Sequence, residues 1–147
     1  MNTVMNILGE KMDLFSAKAE VLVLPVFSGE GFSIESIVGR MPESVRKSAA
    51  RSMKASEFVG KAGEVLAVDV HDAAHHHILV IGLGSATDAT LESAREMIGT
   101  AITLTRRFGA KTLAVEIPVS EEGDAADVAE AMVVAAQLAD YAFDTYK

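Results

Sequence analysis

The sequence has no cysteine and no tryptophan. Without cysteine there is no disulfide framework, no thiolate metal site and no cysteine nucleophile. That absence is compatible with a cytoplasmic location, which is the expectation. Aromatic residues make up only 5% of the chain, although half of all residues are hydrophobic. Alanine, valine, leucine, isoleucine and methionine must therefore fill the core. No stretch approaches the roughly 20 apolar residues of a membrane helix. The start, "MNTVMNILGEKMDLF", has no basic leader region and is interrupted early by Gly9, Glu10 and Lys11. It does not read as a signal peptide, and no membrane partner is expected. Also lacking are a His-Glu-x-x-His pair, a Gly-x-Ser-x-Gly elbow and a Gly-Lys-Ser/Thr phosphate loop.

What is there fits one domain. The chain has 147 residues, enough to bury a continuous core. Its net charge is -8. Residues 1–60 carry seven basic and seven acidic side chains, so the entire excess lies in residues 61–147, with six basic and fourteen acidic. An acidic second half repels a phosphate backbone. The short basic cluster Arg46, Lys47, Arg51 and Lys54 reads as the wet face of a helix. Nucleic acid is not an expected partner of this domain alone.

Periodicity gives the elements. Thr3 to Leu8 and Glu20 to Phe27 read as strands, the second a near-continuous apolar run suited to cover on both faces. Ser33 to Val38 suits a short helical turn, and Pro42 opens a longer helix. Phe58 to Gly63 is a turn with two glycines. Glu64 to Val70 and His77 to Leu83 are strands so close in sequence that an antiparallel hairpin is expected. Leu91, Ala94, Ile98, Ala101, Ile102 and Thr105 line one face of a helix that stops at Gly109. Thr112 to Val119 is a strand. The acidic "SEEGDAAD" opens a last helix with Val128, Ala131, Met132, Ala135, Leu138, Ala139 and Ala142 on one face. The order β, β, α, β, β, α, β, α predicts an α/β fold, a mixed β-sheet flanked by helices.

Two features tempt a chemical reading. His75, His76 and His77 are consecutive, with His71 close by. On a strand, His75 and His77 share a face and His76 does not. The simpler reading is a His-rich hairpin end. The second feature is "VIGLGSATD". Gly82 and Gly84 begin a dinucleotide fingerprint, but Thr87 stands where the third glycine belongs. Asp88 and Glu92 at the helix start would compete with an anion. A glycine turn capped by Ser85, Thr87 or Asp88 is expected, with the two glycines shaping the exit from the strand. The acidic pairs Glu121 and Glu122, and Asp124 and Asp127, read as helix-start charges. The seven methionines read as start residue and core filler. No catalytic, cofactor-binding or metal-binding residue is assigned.

Four stretches in order carry a resemblance: "AEVLVLPVF" (Ala19 to Phe27), "FVGKAGEVLAV" (Phe58 to Val68), "ILVIGLGSATDATLESAREMIGTAI" (Ile78 to Ile102) and the closing "YAFDTYK" (Tyr141 to Lys147). Together they resemble the N-terminal domain of the leucyl aminopeptidase (cytosol aminopeptidase) family, over nearly all of the chain. The resemblance implies a macro-domain-like three-layer sandwich. It implies residues 1–147 as one N-terminal domain whose catalytic domain is absent from this chain. In the family, that catalytic domain is a two-metal exopeptidase using zinc, manganese or magnesium, held by a lysine, aspartates and a glutamate. Some of these lie in an Asn-Thr-Asp-Ala-Glu-Gly-Arg motif, which this sequence does not contain. No cofactor is expected in this chain, and two divalent ions (Mn or Zn) are implied for the missing domain. The resemblance further implies a homo-hexamer, with this domain inactive alone and serving assembly or access. The macro-like comparison also implies an alternative, a free-standing module binding ADP-ribose or another nucleotide. Tyr141, Phe143 and Tyr146 are expected to pack against the missing domain.

Overall fold

The computed structural model describes residues 4–8, 14–16, 18–70, 75–87 and 90–116, with the backbone alone at 4–8, Ser16 and Leu91. Strand β1 is Val4–Leu8, β2 Val21–Ser28, β3 Val65–Asp69, β4 His77–Ser85 and β5 Thr112–Glu116. Helix α1 is Ile34–Gly39, α2 Glu43–Ala55 and α3 Leu91–Arg107. The expected last helix, and with it Tyr141, Phe143, Tyr146 and the acidic pairs from Glu121 to Asp127, lies outside the described residues.

The strands form one sheet in the order β1-β5-β2-β4-β3. Neighbours are parallel except β3 and β4, which form the expected antiparallel pair, Val65 opposite Ile81 and Asp69 opposite His77. The sheet is therefore mixed. Both faces of its centre are covered, and the alternation of side chains says by what. Leu22, Leu24 and Val26 of β2, with Ile78 and Val80 of β4, join Ile37, Val45, Ala49 and Met53 of α1 and α2. Val21, Val23, Leu79, Ile81 and Leu83 join Ala94, Met97, Ile98, Ala101 and Ile102 of α3. This is a three-layer α/β sandwich.

Local chemistry sets the helix ends. Ser33 caps α1, its hydroxyl accepting from the Ser36 amide at 3.2 Å. Pro42 precedes α2 as its N-cap, with extended ψ, instead of lying within the first turn. Helix α3 is capped by Thr90 in a reciprocal box with Ser93, not by Ser85, Thr87 or Asp88. Arg106 and Arg107 lie in its last turn, and Gly109 follows at φ +77°, the left-handed stop. No helix among the described residues is long and apolar enough to cross a membrane.

Candidate functional site

Strands β2 and β4 are parallel neighbours, and the helices that follow them cover opposite faces of the sheet. That is the arrangement in which an open α/β sheet leaves a crevice at its carboxyl edge. A cavity of about 390 Å³ lies there, within the range of small-molecule sites, roughly 300–1,000 Å³. It is lined by the end of β2 from Leu24 to Ser28, by Phe32, Ser33, Ser36, Ile37 and Arg40 of the following segment, and by Ala86 after β4. The described β2–β5 rungs run from Val21–Leu113 to Val23–Val115, and Pro25 lies beyond them.

The described lining is mainly apolar, with three serines and one cation. Ser33 is engaged in the cap and donates to Glu35 Oε2 at 3.2 Å. Glu35 is held below the usual carboxylate range by a hydrogen bond from the backbone and then by the Ser33 hydroxyl. Arg40 reaches across to the end of β5. Its Nη1 and Nη2 donate to Glu116 Oε2 and Oε1 at 3.0 and 2.6 Å, a two-pronged pair. The guanidinium also lies 5.9 Å from the Phe15 ring centre.

The glycines of "VIGLG" do something other than shape an exit turn. Both lie inside β4, which runs on to Ser85. A Cβ on Gly82 would stand 2.2 Å from the Lys61 carbonyl oxygen and 2.6 Å from the Gly60 carbonyl carbon. The bare glycine lets the chain of residues 60–64 cross directly over the strand. Three backbone bonds lock the crossing: Gly84 N–H to Gly60 O (2.9 Å), Gly63 N–H to Gly82 O (3.1 Å) and Gly82 N–H to Glu64 O (2.8 Å). Glu64 turns its carboxylate back onto the amides of Val59 and Lys61. Gly60, at φ +85°, in turn lies against the Phe27 and Ser28 backbone, where a Cβ would be 3.1 Å away. Thus "GKAGE" and "VIGLG", separate in sequence, are one interlocked unit. The amides of Gly82 and Gly84 are both donated within it.

The histidines go to three different partners. His75 Nδ1 is 2.9 Å from the Ala19 carbonyl oxygen and the residue is buried. His76 Nδ1 is 3.3 Å from Glu20 Oε2. His77 stacks on Phe108, ring centres 4.0 Å apart, with Nε2 3.2 Å from Asp69 Oδ1. His71 lies outside the described residues. Among the described residues no group of three or more histidines and carboxylates could hold a metal. In the basic cluster, Arg46 donates to the Met41 and Gly39 carbonyls at the end of α1, while Lys47, Arg51 and Lys54 are exposed.

Sequence reasoning did not single out the cavity residues Phe27, Phe32, Ser36 and Arg40. The one signal was positional, since "SGEG" (Ser28 to Gly31) breaks the chain directly after the best strand. The Arg40–Glu116 pair joins residues 76 apart and left no local trace.

Comparison with known proteins follows the same lines. Residues 18–147 match the model of the cytosol aminopeptidase family, N-terminal domain. A probable cytosol aminopeptidase of Rippkaea orientalis is 28% identical over 136 residues, covering 92% of this chain and 27% of that protein. The chain thus spans about a quarter of that relative's length. Among solved structures, the macrodomain of Mycobacterium tuberculosis DarG has a TM-score of 0.67 at 20% identity, covering 93% of this chain and 92% of that one. A mutant of tomato leucine aminopeptidase has a TM-score of 0.66 at 14% identity, covering 94% of this chain and 28% of that one. These two likenesses establish the macro-like fold.

Proposed function

This chain belongs to the cytosol aminopeptidase family as its N-terminal domain, and from that premise we propose that it is the non-catalytic part of a metal-dependent leucyl aminopeptidase. The carrying observation is the family match over residues 18–147 in a chain that corresponds to 27% of its relative. The remaining length would supply the catalytic domain and its two divalent ions, manganese or zinc, with a metal-bound water as nucleophile. This chain's residues 1–147 would act as one domain, cytoplasmic, with its own catalytic domain as first partner and a homo-hexamer as the assembly. Its role would be assembly or control of access to the peptidase sites. Alone it would not hydrolyse peptides.

The test is a pair of gene products, one with and one without residues 1–147, compared by sedimentation and by hydrolysis of leucine amide against longer peptides. A smaller assembly, or a changed preference for peptide length, supports the role. Identical size and identical selectivity contradict it.

A second reading, a free-standing module for ADP-ribose, has the macrodomain fold and the cavity at the β2–β4 edge in its favour. Against it, the Gly82 and Gly84 amides are engaged with residues 60–64. A rise in melting temperature with ADP-ribose favours this reading; no shift at millimolar ligand removes it.

A further inference from the structure

We propose that the cavity at the carboxyl ends of β2 and β4 binds an uncharged, mainly apolar ring compound of about nucleoside size, and that the Arg40–Glu116 pair excludes its phosphorylated forms. The proposal concerns this cavity alone and does not depend on the accessory-domain reading.

Three observations carry it. The first is the lining. Leu24, Pro25, Val26, Phe27, Phe32 and Ile37 give an apolar wall with two aromatic rings, suited to a flat hydrophobic body. The second is the polar complement. Ser28 and Ser36 border the same space, and neither hydroxyl has a side-chain hydrogen bond among the described residues, whereas Ser33 is engaged by Ser36 N–H and Glu35. Two hydroxyls that both donate and accept suit a ligand with hydroxyl or amine groups.

The third is charge. Among the described lining residues Arg40 is the one charged side chain, and both its Nη atoms face the carboxylate of Glu116. A phosphate entering here meets a cation already neutralised and must compete with an anion fixed 2.6 Å from it. Nearby charges add to the repulsion. Glu30 lies in the turn after β2 and Glu35 in the first turn of α1. Fixed charge of one sign at a site's rim disfavours a like-charged ligand.

Adenosine and AMP make a matched pair of probes that differ by one phosphate. With the 147-residue chain, adenosine at ten times its Kd should raise the melting temperature by about 4 °C. AMP should bind at least about tenfold more weakly, a difference of about 1.4 kcal/mol. Glu116→Gln removes the competing anion, so it should narrow the gap to about threefold or less by strengthening AMP while leaving adenosine unchanged. Ser36→Phe, a change on an exposed helix position that fills the cavity mouth, should abolish the adenosine shift without lowering the variant's own melting temperature.

AMP binding as tightly as adenosine to the unaltered chain overturns the proposal. So does the lack of any shift at 5 mM adenosine (about a hundredfold above a Kd of 50 μM). An adenosine shift that survives Ser36→Phe places binding elsewhere and overturns it as well. An unchanged AMP-to-adenosine ratio in Glu116→Gln removes the charge argument.

Discussion

Replacing Gly82 by alanine tests the interlock between the two glycine motifs. The added Cβ would stand 2.2 Å from Lys61 O, 2.6 Å from Gly60 C and 2.7 Å from Gly60 O. All three are backbone atoms, so no side chain can swing aside. The crossing segment must lift away from β4, weakening the three bonds that Gly82 and Gly84 make with Gly60, Gly63 and Glu64. Overpacking a tight interior costs about 1–3 kcal/mol. Each lost hydrogen bond adds about 1 kcal/mol. Together they predict a destabilisation of about 3–5 kcal/mol, or a fall in melting temperature of about 10 °C. The assay is thermal unfolding followed by circular dichroism, supported by a urea titration. Gly99→Ala is the control. It lies in the middle of α3 with nothing within 4 Å of an added Cβ, so it should stabilise by up to about 1 kcal/mol. If Gly82→Ala melts within 2 °C or so of the parent, the interlock is not what these glycines are for.

Thr90→Ala removes the cap and half of the box at the start of α3, and should cost about 1 kcal/mol in urea unfolding. Ile98→Ala, at a fully buried position between α3 and the sheet, should cost about 2–5 kcal/mol by the same measurement. Arg40→Ala should cost no more than about 1 kcal/mol, because its partner Glu116 and the guanidinium are both partly exposed. The lowered pKa of Glu35 means that its contribution to stability is present above the unfolded carboxylate pKa and lost as pH falls through the folded value. Ser33→Ala should move that titration part of the way back up, read by NMR of the Glu35 side chain. An unmoved titration would show that the hydroxyl plays no part.

The elements were legible where both faces of a segment are buried or one helix face is. The alternation in "EVLVLPVF" and "HILVIGL" places odd and even residues against different helices, and the hairpin followed from the short distance between two strands. Helix α3 follows its apolar stripe and its glycine stop. Its cap was misplaced because Ser85, Thr87, Asp88 and Thr90 are all competent caps within six residues. Gly82 and Gly84 were visible as unusual, but their purpose was not. The atoms they make room for belong to residues about twenty positions earlier, and no local pattern encodes that approach. The histidines look like a metal cluster in sequence and disperse in space, because each reaches a different neighbour: Ala19, Glu20 and Asp69 with Phe108. The cavity was hidden for a related reason. It arises from which faces of the sheet α1 and α3 cover, a product of the assembled fold.

The central claim is that this domain is the non-catalytic part of a leucyl aminopeptidase. The direct measurement is manganese-dependent release of leucine from leucine amide by two samples, the 147-residue chain and the full product of its gene. The account predicts no release above the metal-only blank from the chain, and steady turnover, abolished by chelation, from the full product. Turnover by the chain itself, or none by the full product, would contradict it.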